Sequence, residues 1–216
     1  RQTQQHATIH LYFPQRNHSM RRLFFPFLTL LCLIAPVSGG FAQISASSAD
    51  FDTQTITLAL TQEPPQLNSM KATDQVSALI LGHVMEGLLS YDRRGKIIPG
   101  VAEKWEINST GATFWLRKDA RWSDGKPVTA DDFLFAWQTA LNPETASEYS
   151  FILYSIENAE DINKGKKPTD SLAVTVVDDH TLTVEFETPI GYFDKLVAFT
   201  TFFPARRDFF EARGDS

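Results

Sequence analysis

The segment WEINSTGATFWLRKDARWSDGKPVTADDFLFAW, from Trp105 to Trp137, contains all four tryptophans of the chain. Within it, residues 113–117 alternate between apolar and polar side chains. Such alternation predicts a half-buried strand, with Phe114 and Leu116 on the core side. We interpret the tryptophans as packing residues rather than as a platform for stacking a ligand.

A tight turn and a capped helix complete this stretch. Asp124 and Gly125 favour a turn because aspartate accepts hydrogen bonds from nearby backbone N–H groups and glycine adopts positive φ. Thr129 and Asp132 have the spacing of a capping box, which predicts that a helix begins there and ends before Asn142. Its predicted core face consists of Phe133, Ala136, Trp137 and Leu141. Asp92, Asp124, Asp131 and Asp132 are thus interpreted as turn and capping residues.

The flanking sequence predicts a mixed α/β fold. Residues 55–60 alternate as a strand does, and 172–177 with 182–186 predict a hairpin around Asp178, Asp179 and His180. Between them, residues 74–89 predict a helix that Thr73 or Asp74 can cap. The apolar stripe predicted for this helix consists of Val76, Leu79, Ile80, Val84 and Leu88.

The first 42 residues have a different character from the remainder. Residues 1–19 have no methionine and no hydrophobic period, so we expect upstream readthrough or a disordered tail and leave them out of the fold. Residues 20–42 have the pattern of a signal peptide, with Arg21 and Arg22 before an apolar run and small residues at the cleavage positions. The run is shorter than the ~20 apolar residues that span a bilayer. We expect export, with cleavage after Ala42.

Charge and cysteine content narrow the function further. The first 42 residues contain four arginines and no acid, so the rest of the chain holds 16 basic and 26 acidic residues, a net charge of -10. A surface this acidic repels phosphate backbones, which argues against nucleic-acid binding. The single cysteine, Cys32, lies in the apolar run and is interpreted as part of the signal peptide. The mature chain is therefore expected to have no disulfide.

Eight motifs occur in an order and spacing that resembles one protein family. The first four are EGLLSYDRRG at 86–95, PGVAEKW at 99–105, TFWLRKDARWSDG at 113–125 and VTADDF at 128–133. The others are NPETASEY at 142–149, GKKPTD at 165–170, DDHTLTV at 178–184 and TPIGYFDKL at 188–196. Together they resemble the family 5 extracellular solute-binding proteins, and in particular the oligopeptide-binding branch. The similarity covers about residues 55–209.

The resemblance implies a two-lobed α/β periplasmic binding protein that closes over its ligand by a hinge motion. Members of the family are usually more than twice as long, so we expect this chain to be an N-terminal fragment. On that interpretation residues 43–85 begin lobe I and residues 86–204 form a subdomain inserted in it. Residues 205–216 then return to lobe I.

The resemblance also implies which residues contact the ligand. In oligopeptide-binding relatives a tyrosine after the TAS segment lies at the ligand cleft, and Tyr149 matches it. A second cleft segment corresponds to Thr73, Asp74 and Gln75. Close relatives have an acidic residue at the position of Thr73, whereas here the acid follows one residue later, which leaves ligand preference open. Tyr149 could instead pack with Phe151 and Tyr154, and Asp74 could serve only as a helix cap.

The implied function is that of a monomeric periplasmic receptor that delivers oligopeptides to the permease of an ABC importer, without a cofactor, a bound metal or catalysis. The same fold could carry another cargo, such as a dipeptide, a murein peptide, nickel or haem, because fold does not fix the ligand. A secreted hydrolase is a remote alternative. The chain has neither the Gly-x-Ser-x-Gly nor the His-Glu-x-x-His motif, and no reactive cysteine outside the apolar run.

Overall fold

The computed structural model of the protein describes residues 6–10, 49–50 and 55–213. The chain divides into two compact units, residues 1–61 and 62–216. The first unit has a three-stranded antiparallel sheet of β1 (His6–His10), β2 (Ala49–Asp50) and β3 (Thr55–Ala59), in the order β1-β3-β2. β3 confirms the strand predicted at 55–60. β1 was not predicted, and the signal peptide expected at 20–42 lies outside the described residues.

The second unit is built around a four-stranded antiparallel sheet. Its strands are β6 (Ala102–Ile107), β7 (Gly111–Leu116), β8 (Val174–Asp178) and β9 (Thr181–Glu185), in the order β6-β7-β9-β8. A separate hairpin pairs β4 (Leu89–Tyr91) with β5 (Ile97–Pro99). On β7, Phe114 and Leu116 are buried whereas Thr113 and Trp115 are half-buried, so the alternation predicted from sequence is confirmed.

The first described helix of this unit, α1 (Gln75–Val84), is shorter than predicted. Residues 85–89 are not helical because backbone bonds hold this stretch beside residues 100–102. Val101 N–H donates to the Gly87 carbonyl, and Gly100 and Ala102 N–H donate to the Leu88 carbonyl. The predicted stripe was also partly wrong. The buried residues of α1 are Ser77, Ile80 and Leu81, while Leu79 and Val84 are exposed.

The second helix, α2 (Ala130–Leu141), packs against β8 and the short 3-10 helix Thr200–Phe202. Its predicted core face is confirmed, since Phe133, Ala136, Trp137 and Leu141 are all fully buried. The Trp137 Nε1–H donates to the Phe202 carbonyl at 2.9 Å. This bond and the ring contacts of Trp137 fix the segment after residue 199 against the core of the unit.

The remaining elements connect these parts. They are α3 (Ala159–Asn163), α4 (Phe193–Leu196) and α5 (Arg207–Arg213), with 3-10 helices at Pro143–Thr145, Ser150–Ser155 and Thr169–Ser171. The predicted turn at Asp124 is confirmed, because Gly125 has φ 86° and Lys126 N–H bonds to the Asp124 carboxylate. The hairpin around residues 178–180 is confirmed by the pairing of β8 with β9. In the described ranges, the helices are too short or too polar to cross a bilayer.

Candidate functional site

The four residues predicted for the ligand site lie on two segments that are distant in the chain. Thr73 and Gln75 are exposed, and Asp74 between them is half-buried. Tyr149 precedes the 3-10 helix Ser150–Ser155 and keeps 37% of its surface exposed. The Tyr149 hydroxyl lies 3.3 Å from the Thr73 carbonyl oxygen and donates to it. The structure therefore brings the two predicted segments together, although 76 residues separate these positions.

A second contact fastens the same two segments. The Ser147 hydroxyl is buried and donates to the Met70 carbonyl. The Asn68 side chain accepts the Met70 backbone N–H at 3.0 Å, which fixes the loop from the other side. Just before Ser147, Ala146 adopts the left-handed conformation with φ 52°, which is uncommon for a residue other than glycine. The position of Tyr149 is therefore set by several contacts along the chain.

The carboxylate of Asp74 caps α1. Its Oδ1 accepts the backbone N–H groups of Val76 at 3.0 Å and Ser77 at 2.9 Å. Hydrogen bonds from the Ser77 side chain and backbone lower the pKa of Asp74, so this group is ionised at neutral pH. Asp74 is thus the N-cap of α1, which is the alternative role considered for it. The ionised carboxylate also places a negative charge on the residue next to Thr73.

The Tyr149 hydroxyl has capacity for a second partner. A tyrosine hydroxyl has one proton and two lone pairs, and the proton is directed to the Thr73 carbonyl. The lone pairs can therefore accept from an N–H group that approaches from solvent. A peptide main chain offers such a donor at each residue other than proline. This corner of Tyr149 and residues 73–75 is the candidate ligand site, and we call it the Tyr149 corner.

The ring of Tyr149 also has an aromatic neighbour. Tyr149 and Phe151 meet edge to face, with ring centroids 5.8 Å apart and an interplanar angle of 85°. Tyr154 does not join them in an aromatic contact; its hydroxyl donates to Asn163 Oδ1 at 2.7 Å. The alternative in which Tyr149 packs with aromatic neighbours therefore describes part of its environment. Both rings of the pair still reach solvent, since Phe151 is 56% exposed.

A large open cavity lies elsewhere in the second unit. Its volume is about 1220 Å³, and the residues that line it come mainly from the segments 64–70, 82–91, 117–128 and 198–210. None of the four predicted ligand residues lines it. This volume exceeds the ~300–1,000 Å³ typical of small-molecule pockets, and the cavity is broad rather than enclosing.

Several polar groups that line this cavity are already paired with other residues of the unit. Arg117 forms an ion pair with Glu86, and Arg206 binds the carboxylate of Asp124. The indole N–H of Trp122 donates to Asp132 at 3.2 Å. Because these groups have partners within the unit, we place the candidate site at the Tyr149 corner.

The acidic residues interpreted as structural do have structural partners. The Asp92 carboxylate accepts backbone N–H groups of its own turn, as Asp124 does. The Asp132 carboxylate accepts the Thr129 backbone N–H at 2.8 Å, as predicted for the capping box. Burial raises the pKa of Asp132. Over the described ranges, no three histidine, cysteine, aspartate or glutamate side chains are grouped so that they could hold a metal ion.

Phe151 and the pairing around the cavity were not predicted as functional features. Phe151 was considered only as a packing partner of Tyr149. The sequence offers one local signal for Phe151, which is its position two residues after Tyr149. The Glu86–Arg117 pair joins residues 31 positions apart, and nothing local in the sequence indicates such a contact.

The sequence of the chain is similar to that of known proteins. Residues 96–215 match the model of the bacterial extracellular solute-binding proteins, family 5. The chain is 39% identical over 189 residues to the periplasmic oligopeptide-binding protein OppA of Salmonella typhimurium, covering 86% of this chain and 35% of the relative. It is 35% identical over 179 residues to the periplasmic murein peptide-binding protein MppA of Escherichia coli, covering 81% and 33%.

A solved structure agrees with these matches. The substrate-binding domain of an oligopeptide ABC transporter from Bacillus anthracis superposes with a TM-score of 0.70 and 47% sequence identity, covering 72% of this chain and 30% of that one. The chain thus spans about a third of the length of the relatives it matches. Its fold is the mixed α/β fold of part of a periplasmic binding protein. The chain belongs to the family 5 bacterial extracellular solute-binding proteins.

Proposed function

We propose that this protein is the receptor of an ABC importer that captures oligopeptides in the periplasm and delivers them to a permease in the inner membrane. The observation that carries the proposal is the contact between Tyr149 and Thr73. It joins two segments that the resemblance to the family implies for one ligand cleft. The names of the relatives, which are periplasmic and bind oligopeptides or murein peptides, support the cargo and the compartment.

The recognition would work through the peptide main chain. An extended peptide presents N–H and C=O groups at regular intervals, so a receptor that binds these groups accepts many sequences. Tyr149 supplies a hydroxyl whose lone pairs can accept, and Gln75 supplies an exposed amide that can both donate and accept. Water can bridge the side chains of the peptide to the receptor. No catalytic group is needed for this task, and the family is one of binding proteins rather than enzymes.

The division into lobes remains part of the proposal. Residues 43–85 and 205–216 would belong to lobe I, and residues 86–204 to the subdomain inserted in it. A second lobe would close over the peptide bound at the Tyr149 corner. We further propose that the receptor acts as a monomer and that a signal peptide ending at Ala42 directs its export.

A murein peptide is the second candidate cargo, because one of the relatives with which the chain shares extensive identity is named for binding it. A thermal-shift experiment distinguishes the possibilities. The protein, produced from its complete gene, is heated with tripeptides, dipeptides, a murein tripeptide, nickel or haem. A ligand at 100 times its Kd should stabilise the folded state by about 2.7 kcal/mol.

We expect tripeptides to raise the melting temperature and nickel and haem to leave it unchanged. A shift with the murein tripeptide alone would select the second candidate. Stabilisation by nickel or haem without stabilisation by any peptide would refute the peptide receptor. Release of new amino termini from the peptides during incubation would instead indicate a hydrolase.

A further inference from the structure

We propose that Phe151 forms the wall of an apolar side-chain subsite beside the Tyr149 corner, so that this receptor prefers peptides with an aromatic or large aliphatic side chain at one position. The inference rests on the proposed function and goes beyond it by naming a residue that selects among peptides. It begins from the exposure of the Phe151 ring, which is 56%.

The Phe151 ring is held in place although it faces solvent. Its helix, Ser150–Ser155, is anchored on both sides of the ring. The Ser150 hydroxyl donates to Asn163 Oδ1 at 3.0 Å, and the side chain of Leu153 is fully buried. The edge-to-face contact with Tyr149 restricts the ring further. An aromatic ring held in this way can bind a partner with little loss of conformational entropy.

The distance between the two rings fits the geometry of a peptide. The ring centroids of Tyr149 and Phe151 are 5.8 Å apart. In an extended chain successive residues advance by about 3.3 Å, and side chains on the same face are about twice that distance apart. A peptide whose main chain is bonded to the Tyr149 hydroxyl can therefore place a side chain at the neighbouring Phe151 ring.

The two aromatic residues would thus have different tasks. The Tyr149 hydroxyl accepts a main-chain N–H, which every non-proline residue provides, and so contributes affinity without selectivity. Phe151 has no polar atom in its side chain and can contribute only by apolar and aromatic contact. Such a contact between rings is equivalent to roughly a two- to tenfold gain in affinity. The same gain would be absent for an alanine side chain at that peptide position.

The test uses tri-alanine and its three variants with one phenylalanine each, titrated calorimetrically against the protein produced from its complete gene. We expect one of the three to bind the wild type roughly two- to tenfold more tightly than tri-alanine does. Phe151→Ala should abolish this gain and leave the affinity for tri-alanine within about twofold of wild type. Phe151→Tyr retains the ring and should retain the gain.

Phe209→Ala is the matched control. Phe209 is 61% exposed and lies on α5, so its removal deletes an equally exposed ring from another surface. It should leave all four affinities unchanged. The inference is wrong if Phe151→Ala preserves the phenylalanine gain, or if it weakens all four peptides equally. If the wild type binds none of them, the proposed function fails and the inference with it.

Discussion

At the scale of single residues, Trp137 shows how one side chain can join two distant parts of the second unit. It is fully buried, and its ring lies edge-on to those of Phe133 and Phe202, with centroids 6.4 and 5.4 Å away. Its Nε1–H satisfies the carbonyl of Phe202, which is itself buried. Trp137 therefore joins these parts in two ways, through apolar contacts of its ring and through the hydrogen bond of its Nε1–H.

Trp137→Phe should separate these two contributions. The variant keeps an aromatic ring but leaves the Phe202 carbonyl without its partner, and an unsatisfied buried group costs about 1–3 kcal/mol. We expect the free energy of unfolding to fall by at least that amount, as measured by urea denaturation. Trp115→Phe, on a half-buried position of β7, should cost less. Equal losses for the two variants would contradict the role given to the Nε1–H.

At the scale of elements, the close approach of residues 87–88 to residues 100–102 requires a glycine. A Cβ atom on Gly100 would lie 2.5 Å from the Gly87 carbonyl oxygen and 3.0 Å from that of Leu88. Both are backbone atoms that hydrogen bonds hold in place, so they cannot move away cheaply. By contrast, a Cβ atom on Gly82, within α1, would have no neighbour within 4 Å.

Gly100→Ala and Gly82→Ala are thus the same substitution with opposite expected signs. Gly100→Ala should lower the free energy of unfolding by about 1–3 kcal/mol, because the backbone must shift to admit the methyl group. Gly82→Ala should raise it by up to ~1 kcal/mol, because alanine has the higher helix propensity. Chemical denaturation of both variants measures the difference. Two changes of the same sign would contradict the packing described for residues 87–102.

A network of charges fastens α5 to the turn at 122–126. Arg206 bonds to Asp208 at 2.7 Å and also to Asp124, and Lys126 bonds to Asp208 at 2.7 Å. Hydrogen bonds from Arg206 are the main reason why the pKa values of Asp124 and Asp208 lie below the ordinary value of 3.8. The same bonds raise the pKa of Arg206. The start of α5 is therefore tied to the turn by paired rather than isolated charges.

This network predicts a pH dependence of stability. Because the folded pKa values of Asp124 and Asp208 are lowered, the unfolded chain binds more protons below about pH 4, and the free energy of unfolding falls there. Burial raises the pKa of Asp132, so its contribution to the pH dependence has the opposite sign. Protonation of Asp132 at low pH stabilises the folded protein. Arg206→Met removes the main cause of the lowered pKa values of Asp124 and Asp208 and leaves the surroundings of Asp132 unchanged. We therefore expect the variant to lose less stability than the wild type between pH 7 and pH 3.

Urea denaturation at pH 7 and pH 3 measures this difference, and the adjacent arginine provides the control. Arg207 lies 3.8 Å from Asp131 and stacks on the Phe135 ring, so Arg207→Met leaves the network intact. It should retain the wild-type pH dependence. An identical loss on acidification for Arg206→Met and the wild type would show that the network does not control acid stability.

At the scale of the whole molecule, sequence reasoning succeeded where the cause is local. The capping box of Thr129 and Asp132, the turn at Gly125 and the hairpin around residues 178–180 each depend on a few adjacent residues. It was wrong about the end of α1, because that end is set by backbone bonds to residues 100–102. The helical pattern of residues 74–89 contains no information about strand-like hydrogen bonds to a segment more than ten positions away.

The candidate site divides in the same way. The resemblance to a family indicated Tyr149 and residues 73–75, and the structure shows that Tyr149 contacts Thr73. Local sequence patterns did not predict three other features, which are the aromatic pairing with Phe151, the contact of Ser147 with Met70 and the pairing of charges at the cavity. They depend on side-chain directions and on contacts across tens of residues, which composition and periodicity do not determine.

The most direct test of the account compares two tyrosines. Tyr91 resembles Tyr149 in exposure, at 43% against 37%, and its hydroxyl also lies 3.3 Å from a carbonyl oxygen, that of Lys195. Tyr91 lines the large cavity, whereas Tyr149 forms the candidate corner. Calorimetric titration of tri-alanine into the two alanine variants of the protein from its complete gene therefore distinguishes the two places.

We predict that Tyr149→Ala weakens tri-alanine binding by about tenfold or more, equivalent to ~1.4 kcal/mol, because a hydrogen bond and a ring face are lost together. Tyr91→Ala should change the affinity by less than about twofold, within the usual scatter for a site without contact. The opposite result, a loss for Tyr91→Ala and none for Tyr149→Ala, would contradict peptide binding at the Tyr149 corner and place the peptide in the cavity.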